Sequence, residues 1–419
     1  MVMTVDIRTP TEDDLRGWHS AVSTAFLTGP QVSDAWMAAR RPPIDLDRTQ
    51  GAYDGERCVG TFRTTPQRMT VPGGAELPSC AVTNVTVSPT HRRRGLLTRM
   101  MGNALTAAKE RGDAFASLVA AEYPIYGRYG FGPAAWCTQY EVDVSRSGLD
   151  PRYAGPPPGE GTVTLVDTAE ARRIGPAFHD RFRAQPDRAG VIDRIPHWWR
   201  RHTREIDYDD GLTVPYVAVY RDASGEVQGL ATYRATVDWP GKVPDCTLTV
   251  ASLTGTTPAA ERALWHYLLS VDWVTTVRTG LRAPDDLLPL LLPDPRAARI
   301  SAHADFLWLR PLDVPRMLSA RTYAATGTLV LELHDAAGLA GGRFRLEAAA
   351  GGGGAKASPT SDSPDLSLDV GELGTLYLGD EAATRLVALG RITEHTPGAA
   401  VTADAMLRTA RRPWCPDVF

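Results

Sequence analysis

Lysine is almost missing from this chain: Lys109, Lys242 and Lys356 are the only lysines among 45 basic residues. Against them stand 49 Asp and Glu, giving a formal charge of −4, so the basic excess typical of a nucleic-acid-binding protein is absent. The arginine bias, with abundant Ala and Pro, reads as the codon usage of a GC-rich bacterial genome. Cysteine is also sparse. Cys58, Cys80, Cys137, Cys246 and Cys415 are odd in number, widely spread and form no CxxC pair. That suits a reducing cytosol and offers neither a disulfide framework nor a zinc site. His197 and His202 flank Trp198 and Trp199 with no carboxylate to complete a ligand set, so no metal is expected. Long apolar runs are missing too. The first ten residues lack the apolar core of a signal peptide, and the leucine cluster 287–292 is interrupted by Pro289, far short of the roughly 18 residues of a membrane span. The expectation is a cytoplasmic protein with no signal peptide or membrane span; export by a non-classical route would leave no such trace.

What is present is ample material for cores. The chain has 419 residues, 43% hydrophobic and 22% charged, which excludes disorder and implies two or three domains at about 150 residues each. Three regions emerge, 1–150, 151–310 and 311–419. In the first, a helix runs through Trp18, Val22 and Phe26, and Arg57–Thr70 and Cys80–Val87 read as strands around a Pro72-Gly73-Gly74 turn. Gly95–Arg111 places Leu96, Met100, Ala104 and Ala108 at i, i+4 spacing, an amphipathic helix, and Ala114–Ala120 is a further strand. Residues 151–161, with three consecutive prolines, read as a linker. Strands at Tyr216–Tyr220, Val227–Arg234 and Thr247–Leu253 precede a helix from Pro258 to Val271, an order echoing the first region. The third region has strands at Thr328–Leu333, Arg343–Glu347 and Leu366–Val370, helices at Asp380–Ala388 and Ala400–Leu407, and a glycine-rich stretch 351–364 that reads as a long flexible hairpin loop. The fold class is α/β (α+β).

The stretch Val82-Thr83-Asn84-Val85-Thr86-Val87-Ser88-Pro89-Thr90-His91-Arg92-Arg93-Arg94-Gly95-Leu96-Leu97 carries the chemistry. A strand ends at Val87, Pro89 forces a turn, and a basic run with one glycine opens a helix. The backbone N–H groups of residues 93–97, with the helix dipole behind them, form a cradle for a pyrophosphate, and arginine adds charge-assisted bonds. Neither GxxxxGK[ST] nor GxGxxG is present. The bland alternative is a solvated basic turn.

Strand, turn and R-x-x-G (Arg92 to Gly95) resemble the acetyl-CoA motif of GCN5-related N-acetyltransferases. His91-Arg92-Arg93-Arg94-Gly95-Leu96-Leu97, Ile125-Tyr126-Gly127-Arg128-Tyr129-Gly130-Phe131-Gly132, Phe306-Leu307-Trp308-Leu309-Arg310, Gly374-Thr375-Leu376-Tyr377-Leu378-Gly379 and the terminal Phe419 resemble one branch, the Eis (enhanced intracellular survival) family. These landmarks run in order along nearly the whole chain. The resemblance implies two tandem GNAT-like domains, the second degenerate, and a sterol-carrier-protein-like domain; the second region has no R-x-x-G after its third strand, so no cofactor is expected there. It implies acetyl-CoA as co-substrate, with Val85, Thr86 and Val87 along the pantetheine arm and Arg93, Arg94, Gly95, Leu96, Leu97 and Thr98 around the pyrophosphate. Ala121 and Glu122 would line the arm. Tyr126 would protonate the leaving thiolate, although Tyr123 and Tyr129 compete for that role on sequence grounds. The Phe419 α-carboxylate would accept the amine proton; the bland reading is a terminus packed for stability alone.

For the acceptor, Trp36 and Phe26 would form an aromatic wall and Asp417 would add charge, which suits a cationic amine; taken alone, a residue such as Trp36 is more often core than groove. The expected reaction is acetyl transfer to primary amines, with aminoglycosides modified at several positions as the leading class. Protein lysine or a polyamine is the alternative, and a non-catalytic CoA- or lipid-binding protein the second alternative. The family also implies a homohexamer built as two trimers.

Overall fold

The computed structural model describes residues 5–29, 32–40, 44–147, 161–207 and 211–419. The expected linker lies outside the described residues except for Gly161, which opens a strand. The chain forms two compact units: residues 1–135, 306–410 and 419, and residues 136–305 with 411–418.

The first unit holds a sheet of β1 (Asp6–Arg8), β2 (Thr49–Asp54), β3 (Arg57–Thr70), β4 (Glu76–Val87) and β5 (Phe115–Val119). Neighbours run antiparallel from β1 to β4; β4 and β5 are parallel. Residues 307–311 pair antiparallel on the far side of β5. A parallel pair needs a crossover, supplied by α3 below. Helices α1 (Leu15–Ala25) and α2 (Asp34–Arg40) precede β2. Helix α3 (Leu96–Glu110) buries Leu96, Met100, Met101, Ala104, Leu105 and Ala108, the face its spacing predicted. With Phe62, Cys80, Val82, Leu118 and Phe131 these form one core. A short helix, α4 (Tyr123–Tyr126), follows β5.

The same unit carries a second sheet, in the order Ala355–Pro359, Gly342–Ala348, Gly327–His334, Leu366–Asp369, Ile392–Glu394. Its core gathers Leu329, Leu331, Leu346, Leu368, Leu373 and Met406. Here the expected 351–364 loop is corrected. Gly351–Gly354 turns, with positive φ at 351, 352 and 354, and 360–364 is irregular, but Ala355–Pro359 between them is an edge strand antiparallel to Gly342–Ala348. An edge strand of small residues needs one inward side chain. Ala357 provides it, and its N–H donates to Ser319 Oγ (3.0 Å). Val370, expected in the sheet, instead begins the helix Val370–Tyr377.

The second unit repeats the first sheet's pattern. Gly161–Val166, Tyr216–Asp222, Val227–Thr236 and Cys246–Gly255 run antiparallel in sequence; the helix Pro258–Leu269 then crosses to Val274–Arg278, parallel to Cys246–Gly255. Residues 141–143 close the far side, antiparallel to 276–278. Helix Thr168–Arg183, which the sequence reading did not include, packs Ala171 and Phe178 against Val217, Val219 and Leu230.

Candidate active site

Asn84 takes φ +52°, in the left-handed region. There the register of β3 with β4 slips: Thr61 faces Thr86 but Arg63 faces Thr83. This is a β-bulge, which bends a strand and ends regular pairing. Thr61 locks it. Its hydroxyl lies 2.7 Å from both the Asn84 carbonyl, to which it donates, and Thr86 Oγ1. Before the bulge, Ser79–Ala81 pair with Phe115–Ser117 of β5, and the parallel register stops there. Beyond it the β5-facing edge of Val85, Thr86 and Val87 is released from the ladder, leaving main-chain groups for an extended ligand. Thr86 is buried, and Val85 and Val87 are half-buried.

The turn after β4 is tied down from below. Ser88 N–H donates to Val59 O (2.8 Å), and Pro89–His91 make one 3₁₀ turn. His91 is buried; its Nδ1 is 2.8 Å from Thr90 Oγ1 and its Nε2 is 3.1 Å from Asp54 Oδ2 in β2. With the proton on Nε2, that nitrogen donates to the carboxylate while Nδ1 accepts from the hydroxyl. Arg92, Arg93 and Arg94 are all exposed. Arg93 (φ +63°) and Gly95 (φ +73°) are both left-handed, an alternation that turns successive N–H groups into a nest. Arg99 N–H makes a helical bond to Gly95 O (3.0 Å), so Gly95, Leu96, Leu97 and Thr98 N–H have no acceptor within α3. A Cβ on Gly95 would meet nothing within 4 Å, so space stands open above the nest. These features fit a pyrophosphate.

After β5, Ala121 and Glu122 are exposed and lead into α4. The three candidate tyrosines now separate. Tyr123 is 51% exposed and rests edge-on against Trp308 at 5.0 Å. The Tyr129 hydroxyl is 3.3 Å from Thr98 Oγ1, beside the nest. Tyr126 is 6% exposed and meets Phe131 edge-to-face at 6.2 Å. Burial, then the nearby Glu122 and Tyr129, raise its pKa above the ordinary 10.0, which keeps the phenol protonated. The glycine-rich segment after it serves close packing. A Cβ on Gly132 would lie 1.9 Å from Gly371 O, and one on Gly374 2.4 Å from Leu309 O. Arg310, fully buried, pairs with Asp335 at 2.7 Å and donates Nε to Tyr129 O at 3.2 Å. Three distant sequence landmarks thus meet in one unit.

Family models describing an acetyltransferase (GNAT) domain match residues 6–134 and 190–311, and one describing a sterol carrier protein domain matches 314–416. An uncharacterized N-acetyltransferase of Streptomyces avermitilis is 55% identical over 99% of both chains. The N-acetyltransferase Eis of Mycobacterium tuberculosis is 34% identical over 93% of both. The crystal structure of Eis1 from Mycobacterium abscessus superposes with a TM-score of 0.83 at 31% identity, covering 99% of this chain and 100% of that one.

This chain belongs to the Eis family of GCN5-related N-acetyltransferases.

It is accordingly an acetyltransferase, with two GNAT domains followed by a sterol-carrier-like one. In the second GNAT domain of this Eis-family chain the strand also bulges, between Val250 and Ser252. There the chain fills its own gap. A Cβ on Gly280 would lie 2.9 Å from the carbonyl oxygens of both Val250 and Ala251, and buried Arg282 donates to Leu253 O.

The expected acceptor residues fare differently. Phe26 caps α1 and is 49% exposed. Trp36, on α2, is half-buried and meets His19 edge-on at 4.9 Å; Arg40 already lies 3.8 Å over its ring. Asp417 requires a correction. It was expected to offer charge to a ligand, but its carboxylate is buried in the second unit, with both oxygens 3.1 Å from Arg194 Nε. A buried carboxylate held by an arginine has no charge left to offer. Phe419 is half-buried and belongs to the first unit. Thr61 and Asp54 were missed, and His91 was read only as part of the motif, without a role of its own. An Asn inside a β-branched run was the one available sign of a bulge, and no local pattern ties His91 to a carboxylate 37 residues earlier.

Among the described residues no group of three His, Cys, Asp or Glu is placed to hold a metal, and no helix is long and apolar enough to cross a membrane.

Proposed function

We propose that this enzyme transfers acetyl from acetyl-CoA to primary amines of cationic acceptors, with aminoglycosides, modified at more than one position, as the leading class. The observation carrying the reading is the bulged end of β4 running directly into the left-handed nest at Arg93–Gly95, with the buried phenol of Tyr126 in the same unit. Bound acetyl-CoA supplies an activated thioester. Val85, Thr86 and Val87 hold its arm through their backbone, alongside Ala121 and Glu122; the nest and Arg93–Thr98 hold the pyrophosphate. The amides of Val85 and Val87 polarise the thioester carbonyl as the amine nitrogen attacks. As the C–N bond forms and the C–S bond breaks, Tyr126 gives its proton to the departing sulfur. The Phe419 carboxylate takes the proton leaving the nitrogen. Because an α-carboxyl of ordinary pKa about 3.5 is a weak base, that transfer occurs during attack, directly or through one water. Phe26 and Trp36 form the aromatic side of the acceptor groove.

Protein lysine is the second reading. Arg40 on the face of Trp36 favours it, because a polycation gains little on a ring already shared with a guanidinium. The family's hexameric assembly is proposed for this chain as well; exposed Val237, Trp239, Val243 and Trp273 in the second unit are suited to cover by another copy. The test is thiol release from acetyl-CoA with an aminoglycoside, a polyamine and a lysine peptide. More than one thiol per aminoglycoside is expected. Release with the peptide alone transfers the conclusion to protein lysine, and silence with all three amines overturns it.

A further inference from the structure

We propose that the second unit serves as the holder of the C-terminal arm, and that Arg194 is a positioning residue for the Phe419 carboxylate. The proposal rests on the reading of Phe419 as proton acceptor. The second unit's own gap between strands is filled, yet the rest of it grips residues 411–417 at three successive points, at Arg411–Arg412, Trp414 and Asp417. Asp285 Oδ2 accepts from both Arg411 Nε and the Arg412 N–H, each at 3.0 Å. Trp414 N–H donates to Ala189 O (3.0 Å), while its ring stands against Phe182 and beneath the Arg282 guanidinium, 5.2 Å away. Within the arm itself Cys415 is 1% exposed and its thiol donates to Asp417 O (3.4 Å). Asp417 closes on Arg194, whose guanidinium also lies 3.9 Å over Trp198; the two charged side chains are 3% and 2% exposed.

Backbone fit supports the same reading. Gly190 has φ +93°, and a Cβ there would sit 3.1 Å from Trp414 O. Only glycine both adopts that conformation and lets the arm lie this close.

A chain end ordinarily frays. This one is apolar enough to dock without charges, and a buried ion pair seldom adds net stability over apolar residues of the same volume. What the pair adds is register. It fixes the arm at Asp417, and two residues reach at most about 7 Å, so the terminal carboxylate is confined to a small volume. Confinement of a reacting group is worth rate, and a displacement of one ångström can cost roughly a hundredfold.

The test pairs proteolysis with kinetics on the full-length enzyme. Carboxypeptidase A removes a C-terminal phenylalanine only when the end is free. Asp417→Asn, Arg194→Met and Gly190→Ala are each expected to expose Phe419, measured as release of free phenylalanine, and to lower kcat by roughly a hundredfold with little change in KM for acetyl-CoA. Arg194→Lys should recover part of kcat. If Arg194→Met fails to fold, Asp417→Asn carries the test. Continued protection of Phe419 in Asp417→Asn and Gly190→Ala overturns the arm-holding claim. A freed arm with unchanged kcat overturns the positioning claim, provided that adding one alanine after Phe419 abolishes turnover. If that extension leaves turnover intact, the proton-acceptor reading fails and the positioning role fails with it; the proteolysis still decides whether the second unit holds the arm.

Discussion

At the scale of single residues, the phenol of Tyr126 differs from Tyr123 and Tyr129 in environment more than in chemistry. All three lie within seven residues of sequence, and only Tyr126 is enclosed. Burial penalises the phenolate, so its pKa moves up, and the phenol holds its proton at neutral pH. Tyr126→Phe keeps the ring against Phe131 and removes only the proton. Steady-state kinetics should show kcat falling by about 10²- to 10⁴-fold, with the melting temperature nearly unchanged. The wild-type alkaline limb of kcat, if it reports Tyr126, should lie above pH 10, on the side to which the pKa is raised. A limb at pH 8 would assign proton delivery to another group.

At the scale of elements, the proposed donor site rests on two departures from regular geometry. The Asn84 bulge in the β3–β4 ladder lies just beyond Ala81, where β4 stops pairing with β5, and the paired left-handed residues Arg93 and Gly95 gather the N–H groups opening α3. Gly95→Ala introduces no clash, since nothing lies within 4 Å of its Cβ. It should cost about 1 kcal/mol of left-handed strain. The methyl would enter the space above the nest, so KM for acetyl-CoA should rise about tenfold or more with kcat little altered, the pattern of lost ground-state binding. A proportional fall in kcat instead would mean that the nest acts on the chemical step. Gly132→Ala belongs to the opposite class. Its Cβ would meet the Gly371 carbonyl at 1.9 Å, backbone against backbone with no side chain to yield. Overpacking of that kind should destabilise by about 3 kcal/mol or more, seen as a lowered denaturation midpoint or loss of soluble protein.

For the whole molecule, buried histidines set the acid limit. His19 and His202 are pushed down to about 4, mainly by burial, with Arg63 and Arg40 adding to it at His19 and Arg201 and Arg194 at His202; His179 is also lowered well below its ordinary value. The fold holds these rings neutral, whereas the unfolded chain protonates them near 6.5. Their contribution is therefore complete above pH 6.5 and is lost as pH falls toward 4. Melting temperature should decline steadily from pH 7 to pH 4.5; a flat profile would mean that the rings accept protons in the folded state.

Much of the first GNAT domain was legible because its signals are local. The i, i+4 apolar face of α3 and the strand–proline–arginine–glycine order from Val85 to Gly95 need only neighbouring residues to be read. The edge strand Ala355–Pro359 was not legible, because small residues at a sheet edge carry no hydrophobic alternation. Asp417 was misjudged for a different reason: its partner, Arg194, is 223 residues away, and a carboxylate near a terminus looks available until the partner is known. The sequence by itself determined most of the element types, the strand–turn–helix order around Gly95, the family and the order of domains, since each is written in short-range spacing and residue chemistry. Only tertiary structure decided which tyrosine is enclosed, which strands close each sheet, that the second GNAT domain fills its own gap, and that the arm before Phe419 is held by a buried ion pair. Those outcomes depend on burial and on pairings between residues far apart in the chain, and no local pattern encodes either.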